Sequence, residues 1–209
     1  MKLGHVIYAV KDLDKAVREW IRRGFEVEYG RLRSSKAHNA FIYFGEGPYI
    51  ELLEGGGMSQ LERKLTSIFY GKKYAERFEY LAELPEGWAG LCIIKDGDNL
   101  DNEIDYLRSI DIDGRYVKNI KYRDAKKRLI KYKCFYTYDY DMPYFMTSFE
   151  ADDPRPVEIM HPNGIRGISR VTFHTTRKYA NTLRGLVRDN ALNLSETFNT
   201  GIDKVEFHR

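Results

Sequence analysis

The chain has 209 residues, enough for one large domain or two small ones in contact, with a core that needs no disulfide staples. Its 43% hydrophobic and 31% charged content excludes a disordered or membrane chain, and a formal net charge of +3 gives no general reason to expect nucleic acid as the partner. Two cysteines without CxxC spacing exclude a disulfide framework, and with neither a signal-peptide pattern nor an apolar run of roughly 20 residues, a cytoplasmic protein without membrane association is expected.

His5 to Val10 is apolar and β-branched enough for a strand, and Asp12 then offers an N-cap side chain. Leu13, Ala16, Val17, Trp20 and Ile21 follow at i, i+3, i+4, i+7 and i+8, a single helical stripe, with Gly24 where a left-handed cap is wanted. Further strands are predicted at Phe25 to Tyr29, Ala40 to Phe44 and Tyr49 to Leu53, separated by the polar run Arg31 to His38 and by Gly45-Glu46-Gly47-Pro48. Residues 1–54 therefore form a βαβββ module. Ser59-Gln60-Leu61-Glu62 is a capping-box pattern with Leu61, Leu65, Ile68 and Phe69 at helical spacing behind it, so residues 55–88 are expected to be a helical connector, closed by Pro85-Glu86-Gly87.

The same grammar recurs over residues 89–153, a second βαβββ module: a strand at Ala89 to Ile94, a stripe of Leu100, Ile104 and Leu107, and strands at Tyr116 to Tyr122, Leu129 to Tyr138 and Tyr144 to Phe149. Ile168 to His174, followed by Tyr179, Leu183, Leu186 and Val187 on one helical face, opens a partial third module within residues 154–209. The sequence beyond that helix is ambiguous. The fold class is α+β.

Tandem βαβββ modules with a histidine on the first strand and a glutamate on the fourth resemble the vicinal oxygen chelate superfamily, which includes glyoxalases and extradiol dioxygenases. The runs Leu3-Gly4-His5-Val6-Ile7-Tyr8-Ala9-Val10-Lys11-Asp12-Leu13-Asp14, Phe44-Gly45-Glu46-Gly47-Pro48-Tyr49-Ile50-Glu51-Leu52 and His161-Pro162-Asn163-Gly164 are most similar to the glyoxalase-like domain proteins. The resemblance implies that the two curved sheets form a cup. It also implies, for metal-dependent members, that first- and fourth-strand residues of both modules chelate one divalent ion. His5 and Glu51 fall at the ligand positions of the first module. The second module departs from the pattern: no histidine stands near Ala89, Gly90 and Leu91, and Met146 falls where a second glutamate would be, since Pro143-Tyr144-Phe145-Met146 lies over Pro48-Tyr49-Ile50-Glu51.

Alternation along a strand places His5, Ile7 and Ala9 on one face and the bulkier Val6, Tyr8 and Val10 on the other, which suits the helix and leaves His5 facing the cup. By the same rule Tyr49, Glu51 and Leu53 share a face, as do Asn39, Phe41 and Tyr43. A carboxylate among Ile50, Leu52 and Leu53 needs a partner, a proton, a ligand or a metal, because burying it bare is costly. Three readings follow. His5 and Glu51 hold a divalent metal, a reading weakened because two ligands are too few; or they act without metal, as an acid-base pair or by orienting a ligand; or they are a satisfied buried pair with no chemistry. Asn39, Phe41 and Tyr43, with Tyr144 and Met146 from the second module, are the candidate substrate-binding residues.

Arg115 to Lys133 carries Lys118, Lys121, Arg123, Lys126, Lys127, Arg128, Lys131 and Lys133 against one acid, Asp124, with Tyr116, Tyr122 and Tyr132 interleaved and Tyr136 and Tyr138 just beyond. Tyrosines and cations can bind single-stranded nucleic acid, but a solvated edge hairpin has the same composition and is favoured. Cys92 and Cys134 are expected to be buried thiols, and His161 to cap a turn rather than line the cup. The functional expectation is a small organic ligand, neutral or anionic, bound between the modules, with lyase or isomerase chemistry beside a carbonyl as the form catalysis would take; the sequence leaves open whether the chain is an enzyme. The alternatives are a non-catalytic binding or sequestration protein and, more weakly, nucleic-acid association through residues 115–133. A homodimer is allowed.

Overall fold

In a computed structural model, which describes residues 1–31, 37–156 and 158–209, the chain forms an eight-stranded curled sheet and a separate three-stranded sheet. Most of the polar run Arg31 to His38 lies outside the described residues. The first module contributes β1 (Lys2–Val10), α1 (Leu13–Arg22), β2 (Glu28–Tyr29), β3 (Asn39–Ile42) and β4 (Tyr49–Glu54). The connector contributes a 3-10 turn (Gly55–Gly57), α2 (Gln60–Tyr70) and α3 (Lys72–Glu83). The second module contributes β5 (Gly87–Lys95), α4 (Asp101–Ser109), β6 (Gly114–Arg123), β7 (Leu129–Thr137) and β8 (Tyr144–Thr147). The chain closes with β9 (Gly167–Thr175), α5 (Arg177–Leu186), β10 (Leu192–Glu196) and β11 (Gly201–His208).

The large sheet runs β2-β3-β4-β1-β5-β8-β7-β6, so each module's first and fourth strands pair in parallel and the modules meet where β1 runs antiparallel to β5. One face of this sheet carries the main core. Leu3, Val6 and Val10 of β1, Ile50 and Leu52 of β4, and Leu91 and Ile93 of β5 pack there with α1, α4 and the β9–α5 unit. Each fully buried Leu, Ile or Val of this set contributes about 1.5–3 kcal/mol of hydrophobic stabilisation. α1 begins as its sequence dictates, with the Asp12 side chain accepting from the Lys15 amide at 2.8 Å. Its stripe is one residue narrower than expected, since Ile21 is exposed while Leu13, Ala16, Val17 and Trp20 are buried.

The connector departs further from expectation. Ser59 and Glu62 form the reciprocal capping box at the start of α2, but Leu61, Leu65, Ile68 and Phe69 form an exposed stripe, and only Thr66 of this helix is buried. The connector is also two helices rather than one. Gly71 breaks it at φ 98°, a conformation that side-chain-bearing residues rarely adopt. The ambiguous C-terminal stretch supplies β10 and β11, which flank β9 in the second sheet, parallel and antiparallel respectively. Among the described residues no helix is long and apolar enough to cross a membrane.

Candidate functional site

The opposite face of the large sheet lines a cavity of about 190 Å³. His5, Asn39, Phe41, Tyr43, Glu51, Tyr144 and Met146, the seven residues singled out from the sequence, all lie on its wall. They come together because period-2 alternation on β1, β3, β4 and β8 turns every second residue to the same side, while the intervening Val6, Ala40, Ile50 and Phe145 enter the core. Phe78 and Leu81 of α3 and the Gly56-Gly57-Met58 segment add the connector's share of the wall.

Glu51 is buried, and both of its oxygens are occupied. Oε1 accepts from Asn39 Nδ2 at 2.8 Å, and Oε2 lies 3.2 Å from His5 Nε2. Asn39 reaches this position because Gly30 stands beside it: a Cβ on Gly30 would come within 2.1 Å of the Asn39 side-chain oxygen. His5 Nε2 also lies 2.5 Å from the Tyr144 hydroxyl, so the ring touches a carboxylate of its own module and a phenol of the other. Its ring stacks on Tyr49 at a centroid separation of 4.6 Å. Nδ1 is buried without a partner among the described residues. A bare N–H there would cost more than a bare lone pair, which puts the proton on Nε2, between the Glu51 and Tyr144 oxygens.

Tyrosines dominate the remaining wall. Tyr43, Tyr49, Tyr132, Tyr136 and Tyr144 are held as neutral phenols, their pKa values pushed well up by burial, and burial raises Tyr122 as well. Each is thus a hydrogen-bonding hydroxyl on an apolar ring, not an anion. Of the five tyrosines in and just beyond the basic stretch, Tyr122, Tyr132 and Tyr136 turn into the cavity. Several of the cations meet acids, some near and some distant in sequence. Lys126 and Arg128 pair with Glu28, Arg128 also with Asp124 at 2.6 Å, and Lys131 and Lys133 with Glu150 at 2.6 and 3.4 Å.

Strand register identifies the second module's counterparts. His5 pairs with Tyr49 across β1 and β4, and Cys92 pairs with Tyr144 across β5 and β8. One step on, Ile7 pairs with Glu51 and Ile94 with Met146. Cys92 therefore stands where His5 stands, a correspondence that a search for histidine around Ala89 to Leu91 could not reveal. Burial drives its thiol pKa well up, only partly offset by a hydrogen bond from Tyr144. The divalent ion implied by the resemblance does not fit this set. His5 Nε2 and Glu51 face each other, Cys92 and Met146 offer a protonated thiol and a thioether, and no group of three His, Cys, Asp or Glu side chains stands close enough to hold an ion among the described residues.

His161 lies outside the cavity wall. It is buried against Phe25 and Phe44, its Nδ1 accepting from the Glu26 amide and its Nε2 facing the Tyr43 carbonyl, both at 3.0 Å. The residue that sequence reasoning missed is Arg77 of α3, a buried cation on the cavity wall. A lone arginine among the connector's many charges carries no signal of burial.

Paired βαβββ modules joined edge to edge, with a cavity on the face away from their helices, define a protein of the vicinal oxygen chelate superfamily. The family model described as glyoxalase-like domain matches residues 3–187, and the chain belongs to that family. Among solved structures, a hypothetical protein from Staphylococcus aureus is similar at TM-score 0.67 and 15% identity over 99% of this chain and 90% of that one, which shows the fold. Weaker similarity is found to a Streptomyces coelicolor methylmalonyl-CoA epimerase (TM-score 0.40, 16% identity, 74% of this chain and 99% of that one). A hypothetical protein from Bacillus halodurans is similar at the same TM-score, with 15% identity over 74% of this chain and 97% of that one. None of the curated proteins matches the sequence.

Proposed function

We propose that the cup binds a small organic molecule bearing a carbonyl, and that Glu51 takes a proton from the carbon beside it, in lyase or isomerase chemistry. The observation that carries this is the Glu51 carboxylate. It is buried on the wall of a 190 Å³ cavity and held by Asn39 and His5, and no arginine or lysine among the described residues pairs with it. A carboxylate oriented by single hydrogen bonds keeps a lone pair to offer, whereas one locked in a bidentate arginine pair does not. The His5 Nε2–H beside Glu51 then orients the carboxylate, with the Tyr144 hydroxyl against the same nitrogen, and Tyr43 and Asn39 are placed to hold the ligand's polar atoms.

The test is proton exchange. A panel of 2-oxo acids, hydroxyketones and aldehydes is incubated with the protein in D2O and the proton beside each carbonyl is followed by NMR. Exchange catalysed by the wild type and at least about 100-fold slower in Glu51→Gln is the expected result. Ligands that bind the cup without exchange would overturn the catalytic reading in favour of a binding or sequestration protein. That second reading is favoured by Cys92 and Met146, which leave the second module without an acid or base at the positions matching His5 and Glu51.

A further inference from the structure

We infer that the ligand of this cup is a planar aromatic carboxylate whose anionic group is held by Arg77, an assignment that rests on the cup being the ligand site. Arg77 is only 6% exposed, yet its charge meets no carboxylate within ion-pair distance among the described residues. Nη1 donates to the carbonyls of Thr137 and Asp139, at 2.8 and 2.9 Å, and to Thr137 Oγ1 at 3.0 Å, while Nη2 donates to the Met142 carbonyl at 2.9 Å. Every one of these acceptors is neutral, and Nε–H has no partner among the described residues. Asp139, whose backbone carbonyl Arg77 holds, uses its carboxylate to accept the Tyr179 hydroxyl instead. Burial lowers the Arg77 pKa, but a guanidinium starts so high that it stays charged.

A buried cation without an anion carries a desolvation cost that neutral carbonyls only partly offset. Those carbonyls do fix the plane of the guanidinium, which is the preorganisation that recognition of a planar carboxylate needs. Among the described residues Arg77 is the only lysine or arginine on the cavity wall. One positive charge matches a monoanionic carboxylate better than a dianionic phosphate.

The walls specify the rest of the molecule. Phe41, Tyr49, Phe78, Tyr132, Tyr136 and Phe149 surround the space with ring faces and edges, which favour an aromatic ring over an aliphatic chain of equal volume. Orientation follows from charge: a carboxylate is attracted to Arg77 and repelled by Glu51, so the ring lies between them and a substituent opposite the carboxylate is turned toward Glu51 and His5.

The experiment uses benzoate, its neutral counterpart benzamide and the aliphatic cyclohexanecarboxylate, titrated into protein carrying 13C-methyl methionine. Met58 and Met146 line the cup, and the 90%-exposed Met160 serves as an outside reference. Benzoate is expected to shift Met58 and Met146 and to bind at least tenfold tighter than either of the other two. Arg77→Lys, which keeps a charge but not the planar fork, is expected to cut the benzoate preference over benzamide at least threefold. Should Arg77→Lys fail to fold, the wild-type comparison decides alone. Equal binding of benzoate and benzamide in the cup would overturn the Arg77 assignment and leave the cup as a ligand site. Equal binding of cyclohexanecarboxylate would overturn the aromatic part. Benzoate binding that moves only methionines outside the cup would overturn the ligand-site reading as well, and no binding by any of the three would overturn the assignment of ligand class.

Discussion

Cys92 occupies in the second module the place that His5 occupies in the first: each faces a tyrosine across a parallel ladder, and the two residues pair with each other across the β1–β5 junction. The cup is therefore unequal. Its first half presents imidazole and carboxylate, and its second half presents thiol and thioether at the matching positions. The two halves touch through the His5–Tyr144 contact at 2.5 Å, so an asymmetric site sits on a nearly symmetric frame.

Restoring the missing donors should restore the chelate. The double variant Cys92→His with Met146→Glu places two further ligands opposite His5 and Glu51, and about one equivalent of a divalent ion such as Zn²⁺ or Ni²⁺ is expected to stay bound through desalting. Metal analysis by mass spectrometry, with circular dichroism confirming that the variant folds, checks this. A variant that folds and binds no more metal than the wild type would refute the register correspondence as a statement about ligand positions.

The thiols should be inert in the native state. Both are fully buried, and burial raises the pKa of each well above that of a free cysteine, so the thiolate needed for attack is scarce at pH 8. Ellman's reagent is expected to modify less than about one tenth of the thiols in native protein over the time in which both react in denaturant. Rapid modification of one thiol in the native protein would mean that its site opens.

His161 should make stability sensitive to acid. Burial holds its pKa below the usual histidine value, and the neutral ring accepts one hydrogen bond and donates another, an arrangement that a second ring proton breaks. The sign follows: the neutral form is favoured by folding, so its contribution is fully present above the unfolded-state pKa of about 6.5 and is lost as pH falls through the lower folded-state value. Urea titrations at pH 7.5 and 5.5 are expected to show a smaller pH-dependent loss in His161→Phe than in the wild type. At pH 7.5 the same variant should be less stable by about 1–2 kcal/mol, from the two backbone groups it leaves unpaired. A loss identical in both proteins would assign the pH dependence to other groups.

What the sequence by itself determined is periodic and local. Alternation on the strands sorted His5 and Glu51 from Val6 and Ile50, the repeated grammar revealed the modules, and Asp12 and the Ser59–Glu62 pair marked where helices begin, because each of these signals lies within a few residues along the chain. Period also predicted an apolar stripe on α2, but period cannot say whether anything packs on that stripe, and Ile68 and Phe69 remain about three-quarters exposed. The tertiary structure alone decided which residues meet across long separations. It paired His5 with Tyr144, matched Cys92 to His5, brought Glu28 and Glu150 to the basic hairpin and buried Arg77 against Thr137 and Met142. Those relationships depend on strand register and on where a connector helix lies, and both are set by packing between segments dozens of residues apart, for which one sequence carries no local sign.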